Sequence, residues 1–458
     1  MPNIFAQLSL LIWPLIAFLL FKRLSPLVAT FWTIVGGYLF LPVKVSFELP
    51  LVPSLNKESI SAISALMGCV LVGKIRINQL PQSTWAKILL VAGLLFPIAT
   101  VLTNREPAFN GEFYIPAMPF KEVITLTLNR YILLIPLLLG ALLVRNLNDG
   151  ITVLRHVVLA GVIYSPFIII EVVLSPQLHT WIYGFFPHSF AQQIRFGGYR
   201  PVVFMGHGLL VANFAAIVLV AAVGLWKAKQ RVLYFPSIFF VFYLALILVV
   251  CKTVGAWILG ILGAAILIFT SSKMAVRIVS AMALFIFLYP IMSIFGFVPR
   301  EWLVETVSGI WPDRALSLAF RFHHEQMMLE HSLEKFMFGW GGWNRNRVFG
   351  SVTDGYWIIV LSKYGLASYA VLLGLPLLAV LSGARVLKKV NNRVGQRVAA
   401  AYCVIICLMM VDQIPNASQD SWVLFIYGCA IGLFVPLKTA IKKDSVVKSK
   451  KPQVFERA

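Results

Sequence analysis

The chain has 458 residues, of which 59% are hydrophobic and 12% charged, and it carries a formal net charge of +21. A soluble globular domain is far less apolar than this, so that class is excluded. The apolar blocks, about 17 to 25 residues each, are long enough to cross a hydrocarbon core as helices and too continuous for the alternating strands of a barrel.

In chain order, the pattern predicts helices near 5–21, 27–43, 59–73, 88–103, 123–144, 151–173 and 201–226, then near 232–251, 253–270, 278–296, 356–381, 399–414 and 421–437. The fold class is all-α, a polytopic helical membrane protein with about 12 to 13 transmembrane helices, the segment at 59–73 being the short one. Met1–Phe21 has neither a basic leading region nor a small-residue cleavage pattern, and reads as a retained first helix. Alternating the loops across a bilayer gathers Lys22, Arg23, Lys74, Arg76, Lys87, Lys227, Lys229, Arg231 and the basic residues of 382–398 on one side, together with the tail lysines. The entire +21 then lies on that face, which the positive-inside rule makes cytoplasmic, with the N-terminus outside. The charge therefore calls for no nucleic-acid partner.

The resulting organisation is N-terminal membrane helices over 1–173, an outer loop over 174–200 and central membrane helices over 201–296. A large outer loop at 297–355 follows, then C-terminal membrane helices at 356–437 and a basic tail at 438–458. Cys69, Cys251, Cys403, Cys407 and Cys429 all lie in apolar segments without metal-ligand spacing, and read as packing residues. Neither a Walker-type glycine loop nor a fixed-period repeat is present.

Charges inside the apolar segments are site candidates, because each costs about 2.5–3.5 kcal/mol to insert at the centre of a bilayer. Arg130 and Glu171 lie near the outer halves of consecutive helices, where they would neutralise one another, and Lys363 lies in a later helix. The 177–200 loop carries Trp181, Tyr183, Phe185 and Phe186, which suits the headgroup belt. It ends in IRFGGYRP, which puts Arg195 and Arg200 at the mouth of the next helix. His207 follows, either as a buried hydrogen-bonded histidine or as a catalytic one. Lys252 stands between two apolar helices.

The 297–355 loop holds Arg300, Arg314, Arg321, Arg345 and Arg347 on the side where the orientation rule disfavours basic residues. Seven acids of the loop (Glu301, Glu305, Asp313, Glu325, Glu330, Glu334 and Asp354) offer simple pairing. The functional alternative is an anion: guanidinium forks match phosphate oxygens bidentately at any working pH, and several of them suit a pyrophosphate. Arg321–Phe336 has helical apolar spacing and predicts an amphipathic helix on or near the bilayer, with Arg321 and Glu325 placed for an intrahelical salt bridge. His323, His324 and His331 lack metal spacing. Phe338–Trp343 is too rich in glycine for a helix and predicts a tight turn whose backbone closely approaches something. Trp340 and Trp343 would stack on sugar rings or anchor the loop. Asp354 would cap the next helix or act as a general base at the cavity mouth.

Three stretches carry a family resemblance: Arg200, Phe204, Gly206 and His207 as R-x(3)-F-x-G-H, SLAFRFHHE at Ser317–Glu325, and FGWGGWNRNR through SVTDGYWIIVLSKYGL at Phe338–Leu366. On these the sequence resembles the O-antigen ligase and polymerase superfamily of bacterial envelope glycosyltransferases over roughly 190–380, and looks most like its exopolysaccharide and repeat-unit polymerase branch. Ligases of the superfamily place a histidine where this chain has Asp354-Gly355, which favours the polymerase reading. The resemblance implies a GT-C-type glycosyltransferase of the bacterial inner membrane with a periplasmic catalytic loop, using no metal and no nucleotide sugar. Its substrate would be an oligosaccharide on undecaprenyl pyrophosphate, and its partners membrane lipids, a chain-length regulator and a flippase. Arg195, Arg200 and Arg321 would hold the pyrophosphate, joined by Arg345 and Arg347. Asp354 or Glu325 would handle the acceptor hydroxyl, and His207 transfers as a weaker catalytic candidate. The alternatives are a ligase acting on finished polymer, and a polysaccharide transporter.

Overall fold

A computed structural model describes residues 1–48, 53–75, 84–352, 354–417 and 420–434. Its helices are α1 (Ile4–Arg23), α2 (Pro26–Phe40), α3 (Lys57–Met67), α4 (Thr84–Leu102), α5 (Glu122–Leu143), α6 (Leu147–Leu174), α7 (Leu178–Tyr183) and α8 (Gly208–Lys227). They continue as α9 (Ser237–Val250), α10 (Val254–Phe269), α11 (Ser272–Ile294), α12 (Arg300–Ile310), α13 (Pro312–Glu334), α14 (Tyr356–Leu387) and α15 (Arg393–Asp412), with α16 at Ser421–Phe434. The strands form two-stranded antiparallel hairpins: β1 (Ser46–Phe47) with β2 (Leu55–Asn56), β3 (Ala108–Asn110) with β4 (Phe113–Ile115), β5 (Ile194–Arg195) with β6 (Gly198–Tyr199), and β7 (Arg231–Val232) with β8 (Phe235–Pro236).

Among the described residues, seven helices (α1, α5, α6, α8, α11, α14 and α15) are long and apolar enough to cross a membrane. Shorter apolar helices, α2, the Val91–Leu102 part of α4, α9, α10 and α16, accompany them. The chain is an all-α, membrane-embedded polytopic protein. α8 and α15 are buried nearly all round, as Val218, Val220, Tyr402 and Ile406 illustrate, and form the centre of the bundle. α1 leaves Leu11 and Leu15 exposed, in keeping with a helix at the lipid-facing edge.

The remaining predicted span, near 59–73, is different. α3 is α-helical only to Met67 and then continues as a π turn over Gly68–Val72. Its first turns bury Lys57, Ser59, Ser61 and Ser64, so this helix turns polar groups inward and lacks an apolar sheath. The helix predicted from 201 starts at Gly208, since His207 caps it with its own side chain. The helix predicted over 356–381 runs on to Leu387 but is broken at Gly365, where φ is 74° and ψ is 178°. The predicted basic tail at 438–458, and the end of the helix drawn to 437, lie outside the described residues.

The connecting segments fall into two groups. At one end, the Asn3 N–H donates to Tyr183 O at 3.0 Å, and Thr100 Oγ1 donates to Phe338 O at 2.6 Å. At the same end, the Ser421 N–H donates to Glu58 at 2.9 Å. At the other, Arg155 Nε donates to Arg231 O and Lys227 Nζ to Ile268 O, both at 2.9 Å. The segments at 174–200 and 297–355 meet, since Arg314 of α13 lies over the Phe196 ring.

Candidate oxyanion site

Hairpin β5–β6 is the first element of the site. Phe196 and Gly197 both sit in the left-handed region (φ 49° and 64°), the two-residue turn that matches the twist of a tight hairpin. Beyond its last pair, the Arg200 N–H donates to Gln193 O at 2.8 Å, so Arg200 leaves the hairpin in a fixed direction. Arg200 as a whole is 5% exposed; its Nη2 donates to Gln192 O at 3.0 Å, whereas Nε is buried and has no partner. The Arg195 Nε is buried and unpartnered in the same way.

Helix α13 faces the hairpin. Arg314 stacks over the Phe196 ring at 5.9 Å, and Arg321 Nε lies 3.5 Å from Asp354 Oδ2 while its Nη1 donates to Pro415 O at 3.1 Å. Lys252, at the turn between α9 and α10, brings its Nζ against Gly198.

The charges act on one another. Burial, then Arg195 and Arg314, push the Arg200 guanidinium down to about 10. Burial, then Arg200, His188, Arg195 and Arg321, push His207 down to about 4. His207 is therefore neutral near pH 7; its Nδ1 accepts the Leu209 N–H at 3.0 Å, which leaves the proton on Nε2. It caps α8 and presents a donor. The ring of His188 packs edge-on against it at 4.6 Å.

The structure thus brings together Arg195, Arg200, Arg321, Asp354 and His207, and adds Arg314, His188 and Lys252. Four guanidiniums, one of them paired with Asp354 and two with buried nitrogens lacking a partner, suit a multiply charged oxyanion, because charge-assisted hydrogen bonds would satisfy what the protein leaves open.

Several expectations change. Asp354 does not cap α14; Gly355 occupies that position, and the Asp354 carboxylate turns to Arg321. Arg321 and Glu325 make no ion pair: Glu325 instead bonds Tyr289 Oη at 3.1 Å and Arg300 at 3.4 Å. Burial is the largest influence on its carboxyl and raises it, with Arg300 and Tyr289 opposing. Glu325 is a strut between α13, α11 and α12. Arg130 and Glu171 do not neutralise one another; Glu171 accepts the N–H groups of Leu178, Val202 and Val203 at 2.7–2.9 Å.

Arg345 has a different job from the one expected. It is 2% exposed and donates to Pro116 O at 3.0 Å and Glu106 O at 2.9 Å, bracing the loop against the α4–α5 connection. Its carbonyl meets His331 Nε2 at 2.9 Å; His331 lies ten residues beyond Arg321 on α13, about 15 Å along the axis. Arg347 is exposed. Trp340 is engaged by the loop itself, stacked on His331 at 4.5 Å and donating from Nε1 to His331 O at 2.8 Å, with Lys335 over its ring. Trp343 is 71% exposed and remains open to stacking. α13 packs Met328 and Leu329 on α14 beside Trp357 and Leu361, so the amphipathic helix rests on protein through that face.

The glycine-rich turn does approach something closely: the break in α14. Trp340 N–H donates to Ser362 O and Gly341 N–H to Lys363 O, both at 2.9 Å, while the N–H groups of Leu366 and Ala367 donate back to Phe336 O and Met337 O. A β-carbon on Gly339 would stand 2.5 Å from Tyr364 N, and one on Gly365 2.3 Å from Met337 O. The loop supplies the hydrogen bonds that α14 loses at its break, which irregular backbone at membrane depth requires.

A second polar cluster escaped the sequence reading. Asp412 and Asp420 line a cavity of about 30 Å³ with Tyr38, Asn213 and Trp422, room for a water or two. Asn213 Nδ2 donates to Asp412 at 2.6 Å, and Lys57 Nζ to Tyr38 O at 3.2 Å. Burial, then the neighbouring Glu58, hold the Asp420 carboxyl well above the usual carboxylate range. Leu210 and Asn213, also on its wall, lie one and two turns below His207 on α8. The available signal was charge at helix ends: Lys57 and Glu58 open α3, Asp412 closes α15, and Asp420 precedes α16.

Fold and site together define a polytopic helical membrane protein with an arginine cluster at one end of its bundle. No protein-family model matches the chain, and no curated protein matches it.

Proposed function

We propose that the protein is a GT-C-type membrane glycosyltransferase. It joins oligosaccharide repeat units carried on undecaprenyl pyrophosphate into O-antigen or exopolysaccharide at the outer face of the bacterial inner membrane. The observation that carries this reading is the convergence of Arg195, Arg200, Arg314 and Arg321 from two separate loops, with guanidinium nitrogens left without partners, beside the carboxylate of Asp354. An acceptor hydroxyl attacks the anomeric carbon, the bond from that carbon to the pyrophosphate oxygen breaks, and undecaprenyl pyrophosphate departs with the bonding pair. The arginines stabilise the charge that builds on the leaving group, and preorganised donors in a partly desolvated site do so without a metal ion. Asp354 takes or orients the hydroxyl proton, and Trp343 offers a face for a sugar ring.

The test is incubation of the purified protein with a defined undecaprenyl-pyrophosphate oligosaccharide, reading product length. Chain growth by the native protein and its loss in Arg200→Ala and Arg321→Ala support the reading. Polymer of unchanged length from either variant overturns it. Transfer of a finished polymer to another acceptor, without chain growth, marks a ligase; movement of intact substrate across a vesicle marks a transporter.

A further inference from the structure

Arg130 takes no part in the arginine cluster described above. It lies in α5, is 4% exposed, and its Nη2 is buried without a hydrogen-bond partner. Among the described residues it forms no ion pair within 4.0 Å, and the acid that the sequence offers, Glu171, is held by three backbone N–H groups. What it does touch is the ring of Tyr364, 4.4 Å from the guanidinium carbon, and Lys363 Nζ lies over the same ring at 5.1 Å. Two like charges lie against one aromatic ring. A cation–π contact is a weak substitute for the hydration that a guanidinium gives up inside a membrane protein, and it offers nothing to the N–H groups.

Among the described residues, the nearby carbonyls of α14 do not supply the missing acceptor. The break in α14 frees the carbonyls of Ser362 and Lys363, but both are taken by the N–H groups of Trp340 and Gly341. Thr127, one turn before Arg130 on α5, has its hydroxyl buried and without a partner as well. A guanidinium and an ammonium on one ring, neither in an ion pair with a carboxylate among the described residues, fit a tetrahedral oxyanion.

Position says how such an anion arrives. Arg130 is eight residues into α5 and Lys363 seven into α14, so each lies about 10–12 Å below the outer end of its helix. α5 is one of the helices long and apolar enough to cross the membrane, and it exposes Ile124, Leu128 and Tyr131 on the side turned away from Arg130. A buried cation at this depth, on a helix whose other side is exposed and apolar, suits an amphiphile, with acyl chain in the hydrocarbon and headgroup on the cations.

We propose that Arg130 and Lys363 form a second oxyanion site, at membrane depth between α5 and α14, whose ligand is the phosphate group of a membrane lipid. The site stands apart from the Arg200 cluster in residues and helices, so its failure would leave the reading of that cluster untouched.

The test uses the full chain in detergent micelles, with binding followed by native mass spectrometry. The probes are phosphatidic acid, diacylglycerol with the same acyl chains, and inorganic phosphate. The native protein retains phosphatidic acid in preference to both others. Lys363→Gln and Arg130→Gln each weaken that retention about tenfold, the size expected for losing one charge-assisted contact, while the exposed-site control Arg105→Gln leaves it unchanged. Should Arg130→Gln fail to fold, Lys363→Gln, whose side chain is only partly buried, carries the test. Undiminished phosphatidic acid binding in Lys363→Gln overturns the site. Equal affinity for inorganic phosphate overturns the lipid as its ligand, and equal retention of diacylglycerol overturns the role of the phosphate.

Discussion

The side chain of Arg200 lies across Gly208: a β-carbon built at 208 would stand 2.4 Å from Arg200 Cδ and 2.9 Å from Gln193 Oε1. The first residue of α8 is thus the floor on which the guanidinium rests, and the helix starts with glycine because the arginine needs that space. Gly208→Ala forces Arg200 out of its position. Overpacking of this kind costs about 1–3 kcal/mol, so the variant still inserts and folds while chain growth on a lipid-linked oligosaccharide falls about tenfold or more. Product length measured beside the native protein checks this; unchanged growth would mean that Arg200 works in a different pose.

Asp354 and Arg321 pair at 3.5 Å with both side chains a third or more exposed, and such a pair contributes about 0–1 kcal/mol to stability. Asp354→Asn therefore leaves the unfolding temperature nearly unchanged. As the group that handles the acceptor proton, Asp354 is worth about 10²–10⁴ in rate. A drop of that size with an unmoved melting curve is the expected result, and near-native turnover assigns the carboxylate to holding Arg321 only.

His207 is held at about 4 against an ordinary 6.5. As pH falls through 6.5 the unfolded chain takes up a proton that the folded chain refuses until about 4, so stability falls across that window and is unaffected by this group above it. His179, also pushed to about 4 by burial, acts in the same direction. His207→Asn keeps an N-cap acceptor and removes the titration. Thermal midpoints in detergent between pH 4 and 7 should decline less steeply in the variant, while His179 leaves a residual slope; identical slopes would remove His207 from the balance.

Gly365 has a left-handed backbone (φ 74°), and its missing β-carbon would sit 2.3 Å from Met337 O. Gly365→Ala carries both strain and overlap, and should cost at least about 1–3 kcal/mol. Loss of the loop's docking should follow, read as faster proteolysis within 336–352 and a lower melting temperature. An unaltered protease pattern would show that the break in α14 forms without the loop.

The sequence by itself determined the membrane class and most of the apolar helices, because hydrocarbon thickness fixes the length of an apolar run. It also marked Arg195, Arg200, Arg321 and Asp354, and it read Phe338–Trp343 as a close-approach turn, since charge clustered between apolar runs and glycine density are local signals. Only the tertiary structure decided which partners these residues meet. Arg321 turned from its i+4 neighbour Glu325 to Asp354, Arg345 became a brace for backbone carbonyls, and Trp340 was claimed by His331. The polar lining of Asp412 and Asp420 came from helix ends far apart in the chain. Side chains on one helix face have several candidates within reach, and the choice is made by whichever neighbouring helix or loop packs there, which no local pattern records.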